Sequence, residues 1–367
     1  MTTLHASAET VRAQILSILT AWGMPRAPAG ITADVMVETD LWGVDSHGIS
    51  MLMMYEDMLR AGRLNLAAEP SVVFDTAAMA RIDGQAGLGH PVASMGMDAA
   101  IEKARATGIG VVTAFNSHHF GAAGVYAIRA AEAGCIGLVT STSRTVAVVP
   151  TFAAEPVLGT NPIAFAAPGR NNRPFLLDMA TSAVALNKVK VYGFHGKELP
   201  RGWVADGQGR PITDPERALS MCREGSEGGL SPVGGTRAMG SHKGYGLGVM
   251  AQLLAGALAG GSFSPVRDRS LADDAPFNIG HFFLAMDPRF FRADGEFEME
   301  VDEVIDLLRA TRPADPAQPV LVAGDPEAYT REHRLRDGIP IPPPLAANLH
   351  EICTRARVDY LLGVGPR

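Results

Sequence analysis

The chain has 367 residues, 47% of them apolar and 19% charged, so it carries the material for a large buried core and is not a disordered polymer. That length exceeds one typical core, and two lobes around a cleft are expected. A formal charge of -7 without any run of lysine or arginine supplies no electrostatic footprint for nucleic acid or an anionic membrane, so neither partner is expected, and the three well-separated cysteines, Cys135, Cys222 and Cys353, form neither a disulfide framework nor a CxxC metal site.

Near the N-terminus, Glu9 and Arg12 flank a helical rather than a continuous apolar run, so no leader is read there and a cytoplasmic setting is expected. Val11, Ile15, Ile18 and Trp22 recur at helical spacing. A second pattern runs through Val35, Met36 and Leu41 to Gly43, and a third through Ile49, Leu52, Met53, Tyr55 and Leu59, closed by Arg60 and Gly62. The tetrapeptide Asp45-Ser46-His47-Gly48 is thereby predicted on the N-terminal turn of the third helix. There the unpaired N–H groups and the positive end of the dipole favour a bound carboxylate and oppose lasting protonation of His47.

A helix from Pro91 to Ala106 leads into a strand from Ile109 to Phe115, the loop Asn116-Ser117-His118-His119-Phe120-Gly121, a helix from Ala122 to Ala133 and a strand from Ile136 to Thr142. This is a βαβ-like rhythm, and the loop beyond a strand's carboxyl end is where open α/β sheets hold ligands. Histidine titrates unaided near neutral pH, so His47 and the His118-His119 pair at element ends point to proton transfer. Short apolar runs follow at Ile163–Ala167 and Phe175–Met179, then a turn-rich segment from Pro200 to Gly235 and a glycine-bracketed helix after Lys243. Gly244–Ser264 has no charge, but its six glycines and Gln252 predict a buried helix rather than a membrane span. The proline-rich tail from Pro313 carries an extended strap, Ile339 to Pro344, ahead of a last helix.

The GxGxxG turn of a doubly wound nicotinamide enzyme is absent: Gly108-Ile109-Gly110 precedes a strand, and Gly244-Tyr245-Gly246-Leu247-Gly248 lacks the third spacing. Adjacent histidines rarely bind one ion and no carboxylate or cysteine stands at ligand spacing from them, so no metal site is expected. The residues alone support an α/β enzyme with a histidine-dependent acid/base site.

In order along the chain, Asp45-Ser46-His47-Gly48, Asp83-Gly84 with Gly87-Leu88-Gly89, Asn116 to Gly121, Leu158 to Phe165, Asp178-Met179-Ala180-Thr181-Ser182, His242 to Leu247 and Gly324-Asp325-Pro326-Glu327 resemble the malate/L-lactate dehydrogenase family of the non-Rossmann type. That group includes ureidoglycolate, sulfolactate, diketogulonate and cyclic-imine relatives. The resemblance implies an α/β, non-Rossmann NAD(P)-binding fold with a mixed, largely antiparallel sheet and a helical lobe built from both termini. Residues 1–75 with 300–367 would form that lobe, carrying Ser46 and His47, and 76–299 the cofactor-binding sheet domain. It also implies a homodimer and hydride transfer between NAD or NADP and C2 of a small 2-hydroxy or 2-oxo acid.

By motif, His47 and His119 match acid/base candidates and Ser46 a substrate-orienting hydroxyl. Ser143, Asn161, Asp178, Met179, Ala180, Thr181, His242, Lys243 and Asp325 fall where the family contacts the dinucleotide. Many members have an arginine four residues after the first histidine, suited to gripping a carboxylate; here Met51 stands in the pocket instead. Either the helix N-terminus and Ser46 hold the carboxylate, or Arg60 or Arg144 substitutes, or the substrate is more apolar. An NAD(P)H-dependent reductase of cyclic imino acids such as pyrroline- or piperideine-2-carboxylate is the alternative reading, and a metal-dependent hydrolase using the histidine loop a third.

Overall fold

The computed structural model describes residues 3–194, 196–267 and 275–363. The chain opens with β1 (Leu4–Ala6), α1 (Ala8–Ala21), α2 (Arg26–Leu41), a 3-10 turn at Ile49–Met51 and α3 (Leu52–Arg60). The middle holds β2 (Ser71–Asp75), β3 (Met79–Gly87), α4 (Gly89–Thr107), β4 (Ile109–Ser117), α5 (Gly124–Glu132), β5 (Ile136–Ser141), β6 (Ile163–Ala167) and β7 (Phe175–Met179). Next come α6 (Leu186–Phe194), β8 (Val204–Ala205), α7 (Pro215–Glu224), β9 (Gly229–Leu230), α8 (Ser241–Ala251) with a π-helical extension over Gln252–Leu258, and α9 (Ser264–Arg267). The chain ends with β10 (Ile279–Met286), α10 (Glu296–Ala310), α11 (Asp325–Asp337), β11 (Ile339–Ile341) and α12 (Pro343–Ala356).

β2 to β7 and β10 form one seven-stranded sheet in the order β2-β3-β4-β10-β5-β6-β7. Only the β3–β4 pair is parallel; the other neighbours are antiparallel, giving the mixed, largely antiparallel sheet that the family resemblance implies. The β4-α5-β5 unit is a crossover, but its strands are not neighbours: β10 lies between them, antiparallel to both. Its run Ile-Gly-His-Phe-Phe-Leu-Ala-Met is buried nearly throughout, which suits a central strand covered on both faces.

Three apolar cores organise the chain. α4 and α5 cover the sheet around Ile82, Met97, Val112, Tyr126 and Phe283. Both ends of the chain share a second core, in which Ile15, Ile18, Met36 and Tyr55 meet Ile339, Leu349 and Ile352, and β1 pairs antiparallel with β11 beside it. The third, around Val148, Val189, Val204 and Leu230, lies under α6, α7 and the β8–β9 pair.

Four local expectations need correction. The tetrapeptide at 45–48 is a turn ahead of the third helix rather than its first turn, because the chain enters through the 3-10 turn at Ile49–Met51. Within the turn-rich stretch, Asp214 accepts the Arg217 N–H and Pro215 starts α7. α11 interrupts the proline-rich tail, with Gly324 and Pro326 marking its start. The uncharged helix after Lys243 is only half buried: Gly248, Ala251 and Ala255 face inward, while Leu253 and Leu258 are 57% and 60% exposed. Among the described residues no helix is long and apolar enough to cross a membrane.

Candidate active site

β4 ends at Ser117, and the chain turns through His118, His119 and Phe120 before α5. Gly89, the first residue of α4, backs this turn. Its N–H donates to the His119 carbonyl at 3.0 Å, and a Cβ there would lie 2.3 Å from the His118 carbonyl oxygen, so only glycine permits the approach. Gly121 closes the turn at φ +80°. The Phe120 ring is stacked on one side against His281, with centroids 4.7 Å apart, and on the other against Tyr126 at 5.2 Å, whose hydroxyl donates to the Phe120 carbonyl. His281, on central strand β10, has both ring nitrogens bonded at 2.9 Å, to Ser141 Oγ and Ser117 Oγ of the flanking strands. The loop carrying His119 is thus fixed from the sheet below and from α4 behind.

The turn at 45–48 is held from the opposite side. The His47 N–H donates to the Val44 carbonyl at 2.9 Å, and the Ile49 N–H donates to Asp40 Oδ2 of α2 at 2.8 Å. Arg334 of α11 pairs with the Asp45 carboxylate and also donates to the Asp40 carbonyl. Ser46 Oγ lies 2.7 Å from His47 Nδ1, which orients the ring and engages the hydroxyl locally.

These two anchored segments bring His47 and His119 face to face, with ring centroids 5.3 Å apart and planes inclined by 30°. Tyr55 of α3 joins them: its hydroxyl is 2.8 Å from His119 Nδ1 and 3.5 Å from His90 Nε2. Burial pushes the His47 imidazole below its ordinary value. It pushes His119 much further, with His47, His90, His281 and His118 adding repulsion against a proton. Both shifts favour the neutral imidazole at pH 7.

His90 and His281 are fully buried and each is pushed down to about 3, chiefly by burial. Their folded values lie below the unfolded value near 6.5, so the unfolded chain takes up protons that the native one refuses. Stability is then lost as pH falls from about 6.5 towards 3, at ~1.4 kcal/mol per pH unit for each ring. Urea unfolding at pH 7 and pH 5 measures this. The loss between the two should shrink by about 2 kcal/mol in His281→Gln; an unchanged loss would mean that His281 is protonated in the fold.

The residues predicted to contact a dinucleotide occupy several places. Asn161 is fully buried at φ +31°, donating from Nδ2 to the Gly248 carbonyl at 3.0 Å and accepting the Ser143 N–H on Oδ1 at 3.3 Å. Thr181 donates to the Thr160 carbonyl at 3.0 Å, and Met179 pairs with Ile163 just before Ala180 at the end of β7. Ser143, Asn161 and Thr181 thus form one wall against α8. His242 and Lys243 are exposed on its first turn, beside Arg237, whose guanidinium is 2.6 Å from His242 Nδ1. Asp178 accepts the Gly124 N–H at 2.7 Å at the start of α5. Asp325 is bonded to Arg309 at 2.6 Å and accepts the Val322 N–H, away from the histidines in sequence and engaged within the fold.

Met51 ends the 3-10 turn after His47 and packs against the helical core. Arg60 reaches back to Glu56 at 3.2 Å. The Arg144 guanidinium lies 4.9 Å from the Phe277 ring, whose other neighbours include His118 at 5.4 Å and Arg63 at 5.5 Å. Among the described residues no group of three or more His, Cys, Asp or Glu is placed to hold a metal ion. Sequence reading missed His90, His281, Asp40 and the hydroxyl of Tyr55; the polar His281 inside an apolar strand and His90 beside Gly89 were the available signals.

Residues 6–350 match the profile of the family described as malate/L-lactate dehydrogenase. The chain is 40% identical over 349 residues to malate dehydrogenase of Pyrococcus horikoshii, covering 95% of this chain and 94% of that protein. Among solved structures, malate dehydrogenase from Entamoeba histolytica superposes with a TM-score of 0.92 at 32% identity, over 98% of this chain and 99% of the other. A delta1-piperideine-2-carboxylate reductase from Pseudomonas syringae superposes at 0.81 and 30% identity, over 95% and 99%.

Proposed function

The chain belongs to the malate/L-lactate dehydrogenase family and is an oxidoreductase, and from that premise we propose that it transfers hydride between NAD or NADP and C2 of a malate- or lactate-like 2-hydroxy/2-oxo acid. The observation that carries this reading is the His47–His119 pair: two imidazoles 5.3 Å apart, each bonded through Nδ1 to a hydroxyl. Nδ1 being engaged, each ring offers Nε2 to a substrate oxygen. In the oxidative direction the neutral His119 ring takes the hydroxyl proton; in the reductive direction the imidazolium returns it. A substrate carboxylate placed between the rings favours the protonated state of each, which offsets the burial that otherwise keeps them neutral.

The nicotinamide, when bound, supplies the site of hydride loss or gain. The donor set at the start of α8 fits the diphosphate of such a cofactor: Lys243, His242 and Arg237 are exposed together at the positive end of the helix dipole, with Gly240 at φ +96° leaving the approach open. Ser143, Asn161 and Thr181 would shape the wall behind it, and Asp178 would face the ribose or nicotinamide end.

Met51, in place of a carboxylate-gripping arginine, together with the likeness to the piperideine-2-carboxylate reductase, favours reduction of a cyclic imino acid as the second reading. Oxidation of NADH and of NADPH with a panel of 2-oxo acids and cyclic imines separates the two. The expected result is the largest kcat/KM with oxaloacetate or pyruvate; turnover confined to the imines would establish the second reading, and none with any member would overturn both.

A further inference from the structure

Tyr55 belongs to the apolar stripe of α3, yet its hydroxyl points to histidines rather than to other apolar groups. The residue is fully buried, and among the described contacts its oxygen has two nitrogen neighbours, His119 Nδ1 at 2.8 Å and His90 Nε2 at 3.5 Å. Two further observations define the arrangement. His90 Nδ1 is buried without a hydrogen-bond partner, so Nε2 is the nitrogen through which that ring communicates. His119 Nδ1 also faces the Gly121 N–H at 3.4 Å, so this edge of the ring is turned into the fold and Nε2 away from it.

We propose that Tyr55 is the positioning residue of the acid/base histidine: its phenol holds His119 by Nδ1 in both protonation states of the ring and reserves Nε2 for the substrate proton. The inference rests on the reading of His119 as the acid/base. A hydroxyl both donates and accepts, which a carboxylate in the same place could not do. When Nε2 takes the proton released by the alcohol, Nδ1 carries its own hydrogen and donates it to the phenol oxygen, while the phenol O–H turns to His90 Nε2. In the neutral ring that accepts this proton, Nδ1 already carries its hydrogen and makes the same bond to the phenol oxygen, which leaves Nε2 as the bare nitrogen. The phenol keeps its proton in each case, and only the substrate proton changes hands.

The charge setting agrees with this. A carboxylate on Nδ1 would raise the imidazolium and leave His119 protonated at neutral pH, whereas an uncharged phenol bonds the ring without adding charge. Burial pushes the Tyr55 hydroxyl far above its ordinary range, so it stays protonated throughout the working range. The titratable groups acting on His119 are Tyr55, His47, His90, His118 and His281; none is a carboxylate.

Tyr55→Phe keeps the ring and removes the hydroxyl. In reductive turnover kcat should fall about tenfold, with the KM for cofactor unchanged and the alkaline fall in rate moved to lower pH by roughly half a unit to one unit, the worth of one hydrogen bond to the imidazolium. In a His119→Ala background the same substitution should have no further effect on kcat, because its route of action is gone. A tenfold loss that persists there, or an unmoved pH limb, overturns the proposal. Loss of turnover in His119→Ala with none in Tyr55→Phe overturns this inference alone, whereas full activity in His119→Ala overturns the functional reading with it. Should Tyr55→Phe not fold, 15N-imidazole NMR of the unaltered protein decides: the His119 nitrogen that responds to substrate must be Nε2, and a response at Nδ1 refutes the assignment.

Discussion

His119→Ala should lower kcat by about a hundredfold to ten-thousandfold while leaving cofactor affinity unchanged, the range set by removal of a positioned acid/base group. His47→Ala should act differently, raising the KM for the 2-oxo acid more than it lowers kcat. The distinction comes from how each ring is held. His119 is fixed by Tyr55 of the helical core, by Phe120 stacked between His281 and Tyr126, and by Gly89 behind its carbonyl. His47 is oriented by Ser46, its half-buried neighbour on the same turn. A proton-transfer group needs its nitrogen in one place, because a small displacement forfeits much of the rate. Steady-state rates and cofactor fluorescence titrations on both variants test this. A large loss of kcat in His47→Ala with a small one in His119→Ala would exchange the roles, and near-full rates in both would remove histidine from the reaction.

Much of this centre was legible because its chemistry lies in short, contiguous strings. The two histidine motifs read as element ends, and β6 and β7 coincide with the predicted runs Ile163–Ala167 and Phe175–Met179. Hidden were the partners that topology supplies. Tyr55 meets His119 from 64 residues away, and periodicity reads it as core because its ring is core; only its terminal oxygen is not. His281 reaches Ser141 and Ser117 because β10 inserts between β5 and β4, a strand order that local patterning does not encode. Asp40 looked like an ordinary polar position near the end of α2, yet it is 2% exposed and faces the histidine turn. Burial periodicity identifies which face of an element is covered, but not which polar atom at the far end of a covered side chain will find a partner.

Gly48→Ala should destabilise the fold by about 2–4 kcal/mol and reduce turnover as well, although the change adds a single methyl group next to the histidine. A Cβ at Gly48 would lie 1.8 Å from Asp40 Oδ1 and 2.1 Å from its Cγ, so the whole carboxyl group has to leave. It cannot leave without consequence, since Oδ2 accepts the Ile49 N–H at 2.8 Å in a buried place and its departure strands that donor. Glycine ends the Asp-Ser-His-Gly string for this reason: the carboxyl of Asp40 occupies the volume that any side chain would need. Burial pushes the Asp40 carboxyl up to about 8, so at neutral pH it is the uncharged acid that accepts this bond. Asp40→Asn, of the same shape and also uncharged, should therefore cost less than about 1 kcal/mol at pH 7. Urea unfolding of Gly48→Ala, Asp40→Ala and the double variant completes a cycle. With the carboxyl already removed the added methyl has room, so the double variant should be more stable than the two single losses sum to. Strict additivity would mean that the glycine is required by its own backbone instead of by Asp40, and the link from α2 through Gly48 to His47 would be lost.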